Sequence, residues 1–214
     1  FDAFEATPDV RVVVVSGTGT RAISAGADRG ELAESSPESV LRLRAAQVFA
    51  RIHASPLVTL AAVNGAAVGG GFELALACDL RIAADHAQFW LPEPELGLLP
   101  AAGGLQRLPA VVGEGPAREI ILGGARWSAA RALTRGLVSD VVAADELPLA
   151  IERWTAQVMR RDLLALELAK RSLSARAATG DSSDFDVAAQ AALVARARAT
   201  EADPPSSDDP ESAA

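Results

Sequence analysis

Residues 63–78 read Val63-Asn64-Gly65-Ala66-Ala67-Val68-Gly69-Gly70-Gly71-Phe72-Glu73-Leu74-Ala75-Leu76-Ala77-Cys78. The apolar run 57–63 leads into this stretch and predicts a buried strand that ends at Asn64-Gly65. The residues after the three glycines are typical of a short buried helix. A helix that begins directly after a glycine turn presents backbone N–H groups to negative charge. The glycines alone also fit a tight turn that packs the helix against its strand.

Strands and helices alternate on both sides of this stretch. Residues 11–16 are a short β-branched run, which predicts a strand buried on both faces. Ser36-Pro37-Glu38 predicts the start of a helix that Ser55-Pro56 ends. Strands are expected at 80–84 and 87–90, one late strand at 138–142, and helices at 103–111, 117–122, 128–135, 147–160 and 162–178. This order predicts an α/β core that carries a helical extension.

Composition and charge exclude several classes of protein. Of the 214 residues, 50% are hydrophobic and 22% are charged, which is typical of a globular chain with one full domain and an appendage. The net charge of −8 argues against a nucleic-acid partner, and no apolar run is long enough to predict a membrane span. A single cysteine, Cys78, excludes an intramolecular disulfide and favours a reducing, cytoplasmic location.

The two ends of the chain differ from its middle. Residues 202–214 hold acids and prolines without a large apolar side chain, so we predict that this tail is disordered. Because the chain opens at Phe1 rather than at Met and soon enters a strand, we expect that it lacks the beginning of a longer protein.

Two glutamates stand in apolar surroundings and are candidates for acid–base chemistry. Glu73 lies in the first turn of the predicted buried helix, where a carboxylate is either a favourable helix-start acid or a group in use. Glu93 directly follows the apolar strand that ends in Phe89-Trp90-Leu91-Pro92, and burial there would raise its pKa toward that of a proton donor. A solvated turn glutamate, which we expect Glu95 to be, is the alternative for Glu93.

A second loop of small residues, Ser24-Ala25-Gly26-Ala27-Asp28, indicates another place where backbone approaches something closely. Two such loops and two acids together predict N–H donors that hold an enolate-like oxygen while the acids handle a water and a proton. His53, His86 and Cys78 show no metal-ligand spacing, so we predict no metal site. The sequence also lacks a dinucleotide fingerprint, a P-loop lysine and the serine elbow of α/β-hydrolases.

Over residues 9–173 the chain resembles the enoyl-CoA hydratase/isomerase (crotonase) superfamily. Beside the stretch quoted first, the resemblance rests on 12–15, 24–28, Cys78-Asp79-Leu80-Arg81-Ile82-Ala83, Phe89-Trp90-Leu91-Pro92-Glu93, Leu96-Gly97-Leu98-Leu99-Pro100, Gly103-Gly104-Leu105-Gln106-Arg107-Leu108 and Gly136-Leu137-Val138. It implies an α/β spiral of ββα units with a C-terminal helical region that mediates trimerisation. On this basis we expect a spiral core at 1–145 without its N-terminal part, a helical region at 146–201 and the disordered acidic tail.

The resemblance also assigns roles to individual residues. It implies that the backbone N–H groups of Ala27 and Gly70 form an oxyanion hole for the thioester carbonyl of an acyl-CoA substrate. Glu73 corresponds to the glutamate that activates water, and Glu93 to the one that exchanges a proton with the α-carbon. Coenzyme A would enter as part of the substrate, with no separate cofactor, and would contact Ser24, Ala25, Gly26 and Asp28.

Together these implications predict an enoyl-CoA hydratase that acts as a homotrimer or a dimer of trimers. Hydratases of the family use both acids, whereas its isomerases typically keep one. The alternatives are an isomerase of the same family and a non-catalytic scaffold subunit. The sequence departs from the family pattern in three places. Trp90 stands where glycine is common, and we expect it to narrow the acyl pocket. Ala101-Ala102 replaces part of a glycine run, and the resemblance fades after Arg176.

Overall fold

The computed structural model describes residues 1–27, 30, 44–179 and 183–202. The helix start predicted at Ser36, the predicted coenzyme A contact Asp28, and the tail 203–214 lie outside the described residues. The chain divides between Arg161 and Asp162 into two compact units, which are described separately below. The domain boundary predicted between residues 145 and 146 stays a prediction.

Two four-stranded sheets form the frame of the first unit. Its strands are β1 (Val12–Ser16), β2 (Ala22–Ser24), β3 (Val58–Val63), β4 (Ala66–Val68), β5 (Leu80–Ala84), β6 (Gln88–Trp90), β7 (Trp127–Ser128) and β8 (Asp140–Val142). The strand order is β1-β3-β5-β8 in one sheet and β2-β4-β6-β7 in the other. All the pairs are parallel except β6–β7.

This topology is a spiral. Each of the first three strand pairs, β1–β2, β3–β4 and β5–β6, contributes one strand to each sheet. The prediction of an α/β fold built from ββα units is confirmed. In the part of this unit that the structure describes, the helices are α1 (Asp2–Glu5), α2 (Arg44–His53), α3 (Gly70–Ala77), α4 (Gly104–Val112), α5 (Glu114–Ile121), α6 (Ala129–Thr134) and α7 (Leu147–Met159), with 3-10 turns at Glu93–Leu96 and Ala144–Glu146.

The core explains why the central elements have nearly continuous apolar sequences. All six residues of β3 are buried because β1 and β5 flank it in the sheet. On α3, six of eight residues are buried, among them Phe72, whose ring packs against the Phe89 ring of β6 at a centroid distance of 5.5 Å. The helix therefore has no polar face. It packs against β2 and β4 of the second sheet and against α2 and α4, which places its N-terminus inside the unit.

Two strand predictions were wrong. β1 is not buried on both faces, because Val14 is 36% exposed, and among the described strands β1 lies at the edge of its sheet. A β-branched run specifies a strand but not its place in a sheet. The segment 138–142 is not the one late strand either, because β7 precedes it and completes the second sheet. A two-residue strand such as β7 has no periodicity that a sequence can display.

The second unit is helical. It contains α8 (Leu163–Thr179) and α9 (Ser183–Ala202), and Arg196 of α9 forms an ion pair with Asp162 at 2.7 Å. The helix predicted at 162–178 is confirmed to within one residue at each end, and a helical C-terminal region is present as expected. In the part of the chain that the structure describes, no helix combines the length and apolar character that crossing a membrane requires.

Candidate active site

The glycine turn between β4 and α3 forms the first part of the site. Gly69 has a φ of +50°, a conformation that glycine adopts far more readily than other residues. Its N–H donates to the Trp90 carbonyl at 3.0 Å, which joins the turn to the end of β6. α3 begins at the next residue, so the Gly70 N–H has no partner within the helix and lies at the positive end of the helix dipole.

The loop that follows β2 packs tightly against this turn. A β-carbon on Gly26 would lie 2.9 Å from the Val68 carbonyl oxygen and 3.5 Å from the Gly70 nitrogen. A β-carbon on Gly71 would lie 2.3 Å from the Ser24 carbonyl oxygen. Only glycine fits at these contacts. The structure therefore brings together the two small-residue loops that the sequence indicated separately.

The residues predicted to contact coenzyme A lie on this second loop. Ser24 is the last residue of β2, and its Oγ accepts a hydrogen bond from the Gly26 N–H at 3.2 Å. Ala25 lies between Ser24 and Gly26. Ala27 directly follows Gly26, the residue that packs against the start of α3. Asp28 is outside the described residues. The roles assigned to these residues by resemblance stay predictions.

Glu73 is buried on α3 and is held by backbone donors from another element. Its side chain is in the interior with only 3% of the residue exposed. Its Oε1 accepts hydrogen bonds from the N–H groups of Ala102 and Gly104, each at 2.8 Å. Burial raises the pKa of Glu73, while the two N–H donors and the positive charge of Arg107 act in the opposite direction. The carboxylate thus has a fixed orientation and partners for its charged form.

Glu93 begins the 3-10 turn that follows β6, and its carboxyl group lies against the glycine turn. A β-carbon on Gly69 would come within 2.5 Å of Glu93 Oε1. Glu93 Oε2 is buried and has no hydrogen-bond partner among the described residues. Burial raises the pKa of Glu93, and the negative charge of Glu73 raises it further. The pKa elevation predicted from the apolar strand is therefore confirmed, and Glu95 is exposed as expected.

The two acids differ in what surrounds them, and the difference matches two chemical roles. Glu73 has donors that favour its ionised form, whereas Glu93 has a buried oxygen without a donor and a negative neighbour. An unpartnered buried carboxyl oxygen is rare and is satisfied when the group carries a proton or contacts a ligand. Two buried carboxyl groups with different hydrogen-bond surroundings, near a helix start that can hold negative charge, are suited to adding or removing a proton beside a carbonyl group.

Sequence reasoning missed the residues that hold Glu73. Ala102 and Gly104 stand at the start of α4, 29 and 31 residues after Glu73. Arg107 of the same helix donates from Nη1 to the Ala102 carbonyl at 2.9 Å. The signal available was Gly103-Gly104 after Pro100, which indicates a second glycine turn that opens a helix.

The tryptophan at the end of β6 makes a contact of its own. Trp90 is half-buried, and the Arg126 guanidinium lies over its ring at 4.9 Å from the centroid. The narrowing of an acyl pocket by Trp90 stays a prediction.

Comparison with known proteins decides what this site belongs to. The family model described as enoyl-CoA hydratase/isomerase matches residues 1–201. The chain belongs to the enoyl-CoA hydratase/isomerase family. The match extends to residue 201, beyond Arg176, where we expected the resemblance to fade.

Relatives in the enoyl-CoA hydratase/isomerase family are named for reactions of acyl-CoA substrates. The chain is similar to 2,3-dehydroadipyl-CoA hydratase from Escherichia coli K12, with 41% identity over 165 residues that cover 77% of this chain and 64% of the relative. It is also similar to crotonyl-CoA hydratase from Syntrophomonas wolfei, with 37% identity over 181 residues that cover 84% of this chain and 68% of the relative. Against three curated relatives, the matched part spans only 63% to 66% of the relative's own length.

Solved structures of the family share the fold. The enoyl-CoA hydratase from Bacillus anthracis superposes with a TM-score of 0.77 at 38% identity, covering 81% of this chain and 68% of that one. The enoyl-CoA hydratase from Polaromonas sp. JS666 superposes with a TM-score of 0.82 at 31% identity, covering 91% and 77%. The predicted crotonase fold is confirmed.

Proposed function

We propose that the protein is an enoyl-CoA hydratase that adds water reversibly across the 2,3 double bond of an enoyl-CoA thioester. The observation that carries the proposal is the pair of unlike acids: Glu73, whose Oε1 accepts two backbone N–H groups, and Glu93, whose Oε2 is buried without a partner among the described residues. Isomerases of the family are expected to use one such acid. Burial raises the pKa of both glutamates, but only Glu73 has donors that favour its ionised form, and the addition of a hydroxyl and a proton requires one base and one acid.

The thioester carbonyl would be held by the N–H groups of Ala27 and Gly70. Two convergent donors at a helix start stabilise negative charge on the carbonyl oxygen, which withdraws electrons from the double bond and makes the β-carbon electrophilic. The tight packing of Gly26 on the start of α3 supports this pairing, because it leaves no side chain between the two backbones. Residues Ser24, Ala25, Gly26 and Asp28 would line the coenzyme A part of the substrate.

The acids would then divide the elements of water between them. Ionised Glu73 takes a proton from the water as its oxygen bonds to the β-carbon, and protonated Glu93 gives its proton to the α-carbon. The products are a 3-hydroxyacyl-CoA, a protonated Glu73 and an ionised Glu93, and exchange of a proton through solvent restores both acids. The two N–H donors on Glu73 and the unpartnered Oε2 of Glu93 support this assignment of base and acid. In this proposal every step uses only groups of the protein, water and the acyl-CoA substrate, so no separate cofactor is needed.

The test compares hydration rates of wild type, Glu73→Gln and Glu93→Gln on enoyl-CoA thioesters of different chain lengths, followed by loss of the enoyl-thioester absorbance. We expect each variant to lose at least ~100-fold in kcat with little change in acyl-CoA binding, the usual scale for an acid–base group. Glu95→Gln is the matched control, because Glu95 is exposed two residues after Glu93.

Two alternatives give different results in the same assay. An isomerase would shift a double bond without Glu73, so full activity of Glu73→Gln would favour it. A non-catalytic scaffold would not bind acyl-CoA at all. For the assembly we propose a homotrimer or a dimer of trimers built through the C-terminal helical region, which light scattering of the purified chain tests directly.

A further inference from the structure

One arginine connects the start of α4 to the carboxylate of Glu73. Arg107 Nη1 donates to the carbonyl oxygen of Ala102 at 2.9 Å. The N–H of the same alanine donates to Glu73 Oε1 at 2.8 Å, and the N–H of Gly104 donates to the same oxygen at 2.8 Å. The carbonyl that Arg107 holds belongs to the peptide between residues 102 and 103, which lies between the two peptides that supply the donors.

Gly103 provides the space that the arginine occupies. Its φ is +112°, and a β-carbon on it would lie 1.9 Å from Arg107 Nη1. The guanidinium therefore lies directly on the backbone of the turn, and a side chain at position 103 would displace it from the Ala102 carbonyl. A second hydrogen bond, from the backbone N–H of Arg107 to the Gly103 carbonyl at 2.9 Å, closes the first turn of α4 around this contact.

We propose that Arg107 is a positioning residue for Glu73: by holding the Ala102 carbonyl, it fixes the turn whose two N–H groups orient and stabilise the Glu73 carboxylate. The proposal rests on the proposed function in so far as Glu73 must be ionised to accept a proton from water. Arg107 acts through the turn and through its charge, and does not itself contact the reacting atoms.

The electrostatics of the contact agree with this role. Burial lowers the pKa of Arg107, and the negative charge of Glu73 opposes that effect, so each group stabilises the charged form of the other. The negative charge of Glu73 also raises the pKa of the nearby acid Glu93. Of the elements packed on α3, β2 and β4 carry no titratable side chain, and the charged groups of α2 are not among those that shift the pKa of Glu73.

The test uses the whole chain with two substitutions. Arg107→Met removes both the hydrogen-bond donors and the charge, whereas Arg107→Lys keeps the charge and donates from a single nitrogen. Arg118→Met is the matched control, since Arg118 is exposed on α5 and pairs with Glu114 there. Two quantities are measured for each: kcat and KM of hydration against pH, and the titration of the Glu73 carboxyl carbon by ¹³C NMR. The NMR signal is assigned by its loss in Glu73→Gln.

Arg107→Met is expected to lower kcat ~10- to 100-fold with a smaller change in KM, because a misplaced catalytic group costs rate more than binding. Its Glu73 titration and the acid limb of its pH profile should both move to higher pH, since a neighbouring positive charge is gone. Arg107→Lys should recover most of the rate and titrate near the wild type. Arg118→Met should match the wild type in both.

Arg107→Met with wild-type kcat and an unmoved Glu73 titration would overturn the proposal. So would a rate loss in both Arg107 variants without any change in the titration, because a merely structural role predicts that pattern. If Arg107→Met does not fold, Arg107→Gln gives the same two readouts without the charge. A wild type that hydrates no enoyl-CoA refutes the proposed function alone, since the NMR titration tests the arginine independently of activity.

Discussion

The carboxyl group of Glu93 rests on the backbone of Gly69, where a β-carbon would come within 2.5 Å of Oε1. The contact joins the turn after β6 to the turn before α3, and so fixes one acid relative to the helix that carries the other. Gly104 lies against Glu73 in a similar way, because a β-carbon on Gly104 would lie 3.1 Å from Glu73 Oε1. Each acid thus lies on a glycine because the missing side chain leaves room for the carboxyl group.

Replacing Gly69 should therefore displace Glu93. Gly69→Ala places a methyl group where the carboxyl lies, and we expect kcat to fall by about 100-fold, the scale for misplacing a catalytic group. Gly97→Ala is the matched control, because Gly97 also has a positive φ, +69°, but nothing lies within 4 Å of the added carbon. Gly97→Ala should lose about 1–2 kcal/mol of stability from backbone strain in the left-handed region, and Gly69→Ala should lose at least as much, because its ψ of −121° lies outside that region. Equal activities of the two variants would contradict the positioning of Glu93 by Gly69.

The Gly70 N–H can be tested by removing the donor alone. Gly70 is the first residue of α3, a position that accepts proline, so Gly70→Pro should fold with its N–H deleted. Loss of one oxyanion donor typically costs ~2.7–4 kcal/mol of transition-state stabilisation, a fall in kcat of about 10²–10³-fold.

Gly70→Ala is the control for that experiment. A β-carbon at Gly70 meets its nearest neighbour, Gly26 Cα, at 3.9 Å, so alanine fits and keeps the donor. Circular dichroism establishes that both variants are folded before the rates are compared. Equal hydration by the proline and alanine variants would remove Gly70 from the oxyanion hole.

The raised pKa of Glu93 also has a consequence for stability. A carboxyl group whose pKa in the folded state lies above its ordinary value of 4.5 binds more protons in the folded than in the unfolded state. It therefore makes the fold less stable as the pH rises from 4.5 through the folded-state pKa. Glu93→Gln removes this effect. We expect the variant to gain stability over the wild type at pH values above 4.5, and the gain to shrink as the pH falls toward 4.5. Urea unfolding at several pH values measures it, and a difference that does not change with pH would contradict the elevation.

The sequence was most informative where one local pattern specified both an element and its chemistry. The buried strand, three glycines and an acid in an otherwise apolar helix are contiguous, so α3 and Glu73 could be placed without a structure. Glu93 could be placed because an acid directly after an apolar strand has few other environments. These elements carry the family's resemblance as well, and their bounds were predicted to within two residues.

The remainder depended on contacts between distant segments. The donors to Glu73 come from backbone N–H groups at Ala102 and Gly104, and a backbone donor leaves no trace in residue type. Whether β1 is central or at an edge depends on which strands pair with it, which its own valines do not encode. The role of Arg107 became visible only with the position of Gly103 beneath it.

The central claim, that two acids divide the work on one acyl-CoA, is tested most directly by proton exchange at the α-carbon. Butyryl-CoA is incubated in D₂O with wild type, Glu73→Gln, Glu93→Gln and Glu95→Gln, and deuterium at the α-carbon is measured by mass spectrometry. The account predicts that Glu73→Gln keeps the exchange although it hydrates crotonyl-CoA at least ~100-fold more slowly, and that Glu93→Gln is slowed in both reactions. Exchange at the wild-type rate in Glu93→Gln would contradict it.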